Sequence, residues 1–207
     1  MGDLTWDQLK KKLERAGISP AVLSAMSRVP REKFVPTHLT RQSYENAPLP
    51  IGQEQTISQP LIVAHTTELA EVLPGQRILE VGTGSGYQTA VLLEMGAEVF
   101  TIERIPELKE RAEKTLASLA YENVHLFLGD GFQGLPEYAP FDAIVLTAAP
   151  AKIPEDLIQQ LAAGGILVGP EGVEDQVFVK IKKDGKLVVR ETLFPVSFVP
   201  MLPGVAT

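Results

Sequence analysis

Cysteine is absent from this chain. That excludes a disulfide framework, thiolate catalysis and a cysteine-rich metal site, and it suits a reducing compartment. Long apolar runs are also missing. No stretch reaches the roughly 20 residues that span a bilayer, and the N-terminus shows no signal-peptide core. Positive charge is in deficit, with a formal net charge of -7. An acidic chain repels nucleic-acid phosphates unless a local basic patch overrides the average. The densest basic run is only Lys10-Lys11-Lys12. The expectation is therefore a cytoplasmic protein with no nucleic-acid partner, no membrane contact and no metal, and a monomer is expected. Histidine is scarce too, and His38, His65 and His125 read as structural or surface residues rather than as parts of a triad.

What is present is organised. The chain has 207 residues, enough to bury about 70% of its unfolded surface without staples. Thr5-Trp6-Asp7-Gln8 has the form of a capping box ahead of a first helix carrying Leu9 and Leu13. Ser19-Pro20 opens a second helix with Val22, Leu23 and Met26 on its apolar face. Positions 30 to 60 are proline-rich with little periodicity and read as an irregular connection. A helix follows from about Pro60 to Val72, stopped by Pro74-Gly75.

From Arg77 onward short apolar runs alternate with helical segments. Ile78–Val81, Val99–Ile102, Val124–Leu128, Ala143–Leu146 and Ile166–Val168 suit strands buried on both faces. Pro106 and Pro154 mark first turns of helices, and Gly164-Gly165 reads as a helix stop. Such alternation predicts a doubly wound α/β sheet with right-handed crossovers. The end of the chain differs. Val177, Val179 and Ile181 alternate, Asp184-Gly185 signals a turn, and Leu187–Val189 return, so an antiparallel hairpin is expected at the sheet edge.

The run Ile78-Leu79-Glu80-Val81-Gly82-Thr83-Gly84-Ser85-Gly86-Tyr87 concentrates the chemistry. A strand must turn sharply into a helix with a ligand resting on the turn, and Gly82 and Gly84 offer positive φ with no Cβ. The dinucleotide fingerprint places its third glycine one position later, where Tyr87 stands, and no Gly-Lys-Ser/Thr of a P-loop follows. Glu80 sets negative charge beside the loop. That disfavours a pyrophosphate and favours a cationic nucleoside such as S-adenosylmethionine. Glu103 ends the next apolar run, about twenty positions on, where a carboxylate can accept from both ribose hydroxyls. Asp130 and Gly131 end the third run, and Asp130 is expected to face the adenine amino group. Each residue alone has a plainer reading, a tight turn or a solvated acid. The ordered set points to a nucleoside site, with Glu80, Gly82, Thr83, Gly84, Ser85, Gly86, Tyr87, Glu103, Asp130 and Gly131 as the candidate cofactor residues.

The stretch from about 75 to 170 resembles the class I S-adenosylmethionine-dependent methyltransferases, of which Glu80-Val81-Gly82-Thr83-Gly84-Ser85-Gly86 is the first motif. A more specific likeness lies upstream. Pro48-Leu49-Pro50-Ile51-Gly52 followed by Gln55-Thr56-Ile57-Ser58-Gln59-Pro60 resembles the signature of the protein-L-isoaspartate (D-aspartate) O-methyltransferases. Phe34-Val35-Pro36 and Val196-Ser197-Phe198-Val199-Pro200 extend it across almost the whole chain.

The resemblance implies a single Rossmann-like methyltransferase domain over 1–207. It would have an N-terminal helical and substrate-site segment (1–74), a cofactor-binding core (75–170) and a C-terminal hairpin and edge segment (171–207). It implies S-adenosyl-L-methionine as cofactor and isoaspartyl-containing damaged proteins as partners, with methyl ester formation as the reaction. Ser58 matches the family's active-site serine and would orient the substrate carboxylate. Thr56, Ile57 and Val199 would join Ser58 in holding the substrate. From composition alone Ser58 equally reads as the N-cap of the following helix, and Val196–Val199 as a plain edge strand. Another methyl acceptor and a non-catalytic cofactor-binding module are the alternative functions. Two departures from the pattern stand out: Glu54 where glycine is usual, and Asn46 where aspartate is usual.

Overall fold

The computed structural model describes residues 5–185 and 187–206, so the first four positions, Lys186 and the last position of the expected 1–207 domain lie outside the described residues. Helices α1 (Trp6–Arg15) and α2 (Pro20–Arg28) come first. At the start of α1 the Gln8 side chain accepts the Thr5 N–H at 3.0 Å, and at the start of α2 the Ser19 hydroxyl accepts the Val22 N–H. Both ends thus use side-chain acceptors for amides that a helix cannot satisfy itself.

Positions 30 to 60 are more ordered than their composition suggests. Two 3₁₀ turns, Arg31–Phe34 and Thr37–Gln42, lead into a small antiparallel hairpin of β1 (Leu49–Gly52) and β2 (Gln55–Ile57). Leu49, Ile51 and Ile57 face inward, and the outward positions tolerate Pro50 because the two-stranded sheet has free edges. Helix α3 (Pro60–Leu69) ends three residues before the expected Val72.

The main sheet has seven strands in the order β5-β4-β3-β6-β7-β8-β9. Strands β3 (Arg77–Val81), β4 (Glu98–Glu103), β5 (Val124–Leu128), β6 (Phe141–Leu146) and β7 (Leu161–Glu171) run parallel. Between them lie α4 (Tyr87–Glu94), α5 (Pro106–Ser118) and the short α6 (Glu155–Gln159). Ile78, Leu79, Val99, Ile144 and Val145 are fully enclosed, as strands covered on both faces require. The edge strand β5 departs from that pattern: its residues are half-buried or exposed. The C-terminal hairpin is present as β8 (Val177–Asp184) and β9 (Leu187–Pro195), antiparallel to each other, with β8 also antiparallel to β7.

Gly164-Gly165 does not stop a helix. The helix ends at Gln159, and the two glycines lie inside β7, where the pairing jumps from Phe141 opposite Leu161 to Ala143 opposite Ile166. Two glycines allow the strand to carry that extra length. Helices α1 and α2 pack in one apolar cluster with Tyr87, Leu108 and Leu116. Chain order reverses between β3 and β6, so a crevice opens beyond the carboxyl ends of these two neighbours. Among the described residues no helix is long and apolar enough to cross a membrane.

Candidate active site

The crevice is a cleft of about 870 Å³, counting the space at its open mouth. One wall is the turn after β3. Gly82, Gly84 and Gly86 have φ of 98°, 53° and 85°, a region that β-carbons disfavour. Gly82 is doubly constrained, because a β-carbon there would overlap Thr147 Oγ1. The Thr147 hydroxyl reaches the carbonyls of Val81 and Gly82, which pins the end of β6 to the end of β3. Glu80, Gly82, Thr83, Gly84, Ser85 and Tyr87 all line the cleft. Gly86 does not; it acts at the turn itself, preceding α4.

Glu103 lies at the end of β4, almost fully buried. Its Oε2 accepts the Gly84 N–H at 2.8 Å, and its Oε1 accepts those of Arg104 and Ile105 at 2.8 and 3.0 Å. Three backbone donors therefore fix this carboxylate against the glycine turn. Unused lone pairs remain for a diol.

Glu80 differs from the sequence argument. It is fully buried, and burial pushes its carboxyl up to about 8, against the opposing hydrogen bonds from Thr89 and Thr101. Both threonine hydroxyls donate to Oε2, while Oε1 has no partner. The residue thus presents a mostly protonated carboxyl at neutral pH rather than a standing negative charge. Asp130 follows β5, beside Gly131. Its Oδ1 accepts the Phe132 N–H at 2.9 Å in a local turn, and its side chain is not part of the cleft lining, whereas Gly131 is. An Asp followed two residues on by a free N–H favours this closed turn.

The opposite wall comes from β2 and the start of α3. Thr56, Ile57 and Ser58 line the same cleft as the glycine turn, with Val199 beside them. Helices α1 and α2 contribute no residue to this lining. Ser58 is not a helix cap. The α3 cap position is Gln59, Pro60 has no N–H, and the Leu61 N–H is taken by Asn46 Oδ1 at 3.0 Å. The Ile62 and Val63 amides both go to the Gln59 carbonyl. Among the described residues the Ser58 hydroxyl has no hydrogen-bond partner.

A second, open cleft meets the first at Thr56, Ser58, Thr147 and Val199. It runs along Pro195–Val199, of which Val196–Val199 lie beyond the end of β9 and form no strand. The Gln176 side chain holds both the N–H and the carbonyl of Phe198, and the Val199 carbonyl accepts from Ala149. Sequence reasoning missed Thr147 and Met201, which line the main cleft from far along the chain. The reversal of strand order next to β3 is the signal that locates Thr147.

The glycine turn, the fixed Glu103 and the free Ser58 hydroxyl thus border one cleft. A model of the family described as protein-L-isoaspartate(D-aspartate) O-methyltransferase fits residues 5–206. The chain belongs to this family. A protein-L-isoaspartate O-methyltransferase of Gloeobacter violaceus is 56% identical over 183 residues, covering 87% of this chain and 89% of the relative. A solved protein-L-isoaspartate O-methyltransferase superposes with a TM-score of 0.86 at 29% identity, over 95% of this chain and 65% of that longer one. A Plasmodium falciparum structure described as a protein-L-isoaspartate O-methyltransferase in complex with S-adenosyl-L-homocysteine gives a TM-score of 0.85 at 26% identity. That match covers 96% of this chain and 99% of the other. The family's fold is thus present throughout, and within it the departures at Asn46 and Glu54 acquire places. Asn46 binds the α3 amide. Glu54 is exposed on the β1–β2 turn, outside the cleft.

Proposed function

We propose that this chain methylates the free carboxylate of L-isoaspartyl residues, and of D-aspartyl residues, in damaged proteins, with S-adenosylmethionine as the donor. The observation that carries this reading is the uncommitted Ser58 hydroxyl facing the same cleft as the glycine turn. When bound, the donor supplies a methyl group already activated by its sulfonium. The chain's residues suit such a molecule. Glu103 offers acceptors for a ribose diol, and Gly82 and Gly84 leave room for close approach.

The acceptor needs no strong base, because a carboxylate is ionised at neutral pH. Ser58 donates its hydroxyl proton in a hydrogen bond to one carboxylate oxygen and so turns the other toward the donor. Holding reactants in line in this way is worth up to about 7–11 kcal/mol in well-oriented systems. The second cleft admits the flanking peptide. There the Ser197 backbone N–H and carbonyl have no protein partner among the described residues and are available to a peptide chain. A flexible, exposed segment of a protein meets these demands; a buried one does not. The acidic surface and the lack of cysteine fit a monomer working in the cytoplasm on protein clients rather than nucleic acid.

The test is transfer of labelled methyl from S-adenosylmethionine to matched isoaspartyl and aspartyl peptides. Base-labile label on the isoaspartyl peptide alone is expected. Equal labelling of both, or of neither, contradicts the reading.

A further inference from the structure

Arg31 is the largest fully buried side chain among the described residues. It opens the 3₁₀ turn Arg31–Phe34, far in sequence from the glycine turn. Its Nε donates to the Ser43 carbonyl at 2.7 Å and its Nη2 to the Ser58 carbonyl at 2.8 Å. The guanidinium carbon lies 4.6 Å from the centre of the Tyr87 ring, the first residue of α4. Nη1 has no partner. Among the described residues no carboxylate forms an ion pair with Arg31, and the groups beside it are the neutral phenols of Tyr87 and Tyr44.

A buried cation without a counter-ion is costly, by several kcal/mol in real proteins. Burial lowers Arg31 to about 10, which leaves it charged at neutral pH. A fold needing only a strut between Ser43 and Ser58 could use a neutral donor. The charge therefore calls for an anion that the free protein lacks. The reaction supplies one beside Ser58.

The other donors around the cleft are held by protein carbonyls and side chains away from Ser58. The N-terminal amides of α3 are bonded to Asn46 and Gln59. Arg104 borders the cleft but turns Nε and Nη2 to the carbonyls of Gly204 and Pro203. Arg111 donates to the Ile51 carbonyl.

We propose that Arg31 is a positioning residue that fixes the Ser58 backbone and supplies the positive field selecting an ionised carboxylate there. The inference rests on the isoaspartyl reading and deepens it. Arg31 does not line the cleft, so it acts through Ser58 without touching substrate. A unit charge within about 8 Å, at an effective dielectric near 20, is worth about tenfold or more in binding.

The test compares an isoaspartyl peptide with the same peptide bearing a primary amide in place of the free carboxylate, each bound in the presence of S-adenosyl-L-homocysteine. Wild type is expected to favour the acid by about tenfold or more. Arg31→Met should reduce that preference to about threefold or less, and Arg31→Lys should retain most of it. The homocysteine derivative should bind all three proteins about equally. An unchanged acid preference in Arg31→Met overturns the proposal, as does a parallel loss of cofactor-product and amide-peptide affinity, which is the mark of a merely structural role.

If Arg31→Met does not fold, the wild-type Arg31 Nε–H resonance, assigned by its loss in Arg31→Lys, decides. It should shift with the acid peptide and not with the amide; equal shifts overturn the proposal. Discrimination of isoaspartyl from aspartyl peptides by wild type is measured alongside. If that alone fails, the functional reading falls while the acid-to-amide comparison still judges Arg31.

Discussion

Asn46 Oδ1 accepts the backbone N–H of Leu61 at 3.0 Å, reaching across 15 residues to satisfy the start of α3. That bond performs the capping task, and Ser58 is left free for another. Asn46→Ala should therefore cost about 1 kcal/mol in urea unfolding, the usual value of a lost cap, while Asn46→Asp keeps most of it. Ser58→Ala should leave the unfolding free energy in urea within about 0.5 kcal/mol of wild type, as for a substitution that removes no bond. A larger loss in Ser58→Ala than in Asn46→Ala contradicts this division of labour.

Gln53 and Glu54 both have positive φ, 53° and 56°, in the two-residue turn between β1 and β2. This is the backbone of a mirror-image type I′ turn, where glycine fits best. A non-glycine residue there costs on the order of 1 kcal/mol or more. Glu54→Gly should raise Tm by about 2–4 °C for a chain of this size, measured by calorimetry. Because Glu54 is exposed and outside the cleft, the KM for an isoaspartyl peptide should stay close to wild type. A lower Tm would show that the glutamate makes a compensating contribution.

Buried Glu80 makes the free protein's stability depend on pH. Its carboxyl rises from 4.5 unfolded to about 8 folded, so the native state holds a proton that the unfolded chain releases in between. The stabilisation is complete below about 4.5 and is lost as pH rises through 8, at roughly 1.4 kcal/mol per pH unit across the window. Glu80→Gln should flatten that slope in urea titrations at pH 5, 6, 7 and 8. A slope equal to wild type rejects the assignment.

Glu103 ties the glycine turn to β4 through its bond to Gly84. Glu103→Ala removes both that tie and the acceptors for a ribose diol. Calorimetric affinity for S-adenosyl-L-homocysteine should fall by about tenfold or more, since hydrogen bonds to a charged group contribute about 1.5–3 kcal/mol. An unaltered Kd removes Glu103 from the cofactor site.

Legibility in the sequence followed locality. The apolar runs around Ile78, Val99 and Ile144 announced themselves because both faces of each strand are covered. The glycine turn was readable because its positive φ values fall on glycines gathered in one short run. The hairpin at Leu49–Ile57 was hidden by Pro50 and by a Gln-Glu turn that lacks the usual Asn-Gly signal. Gly164-Gly165 misled because glycines mark strand irregularities as readily as helix ends. The cap on α3 and the partners of Arg31 were out of reach, since Asn46, Ser43 and Ser58 meet only through the tertiary fold. Thr147 came into view only once β6 was placed beside β3.

The central claim is that the glycine turn and Ser58 serve one methyl transfer. It is tested most directly by a crystal structure with S-adenosyl-L-homocysteine and an isoaspartyl peptide bound together. The account predicts a substrate carboxylate hydrogen-bonded to Ser58 Oγ, one oxygen facing the sulfur across a gap that a methyl group fills. A carboxylate held away from Ser58, or a sulfur turned from it with protein between them, contradicts the account.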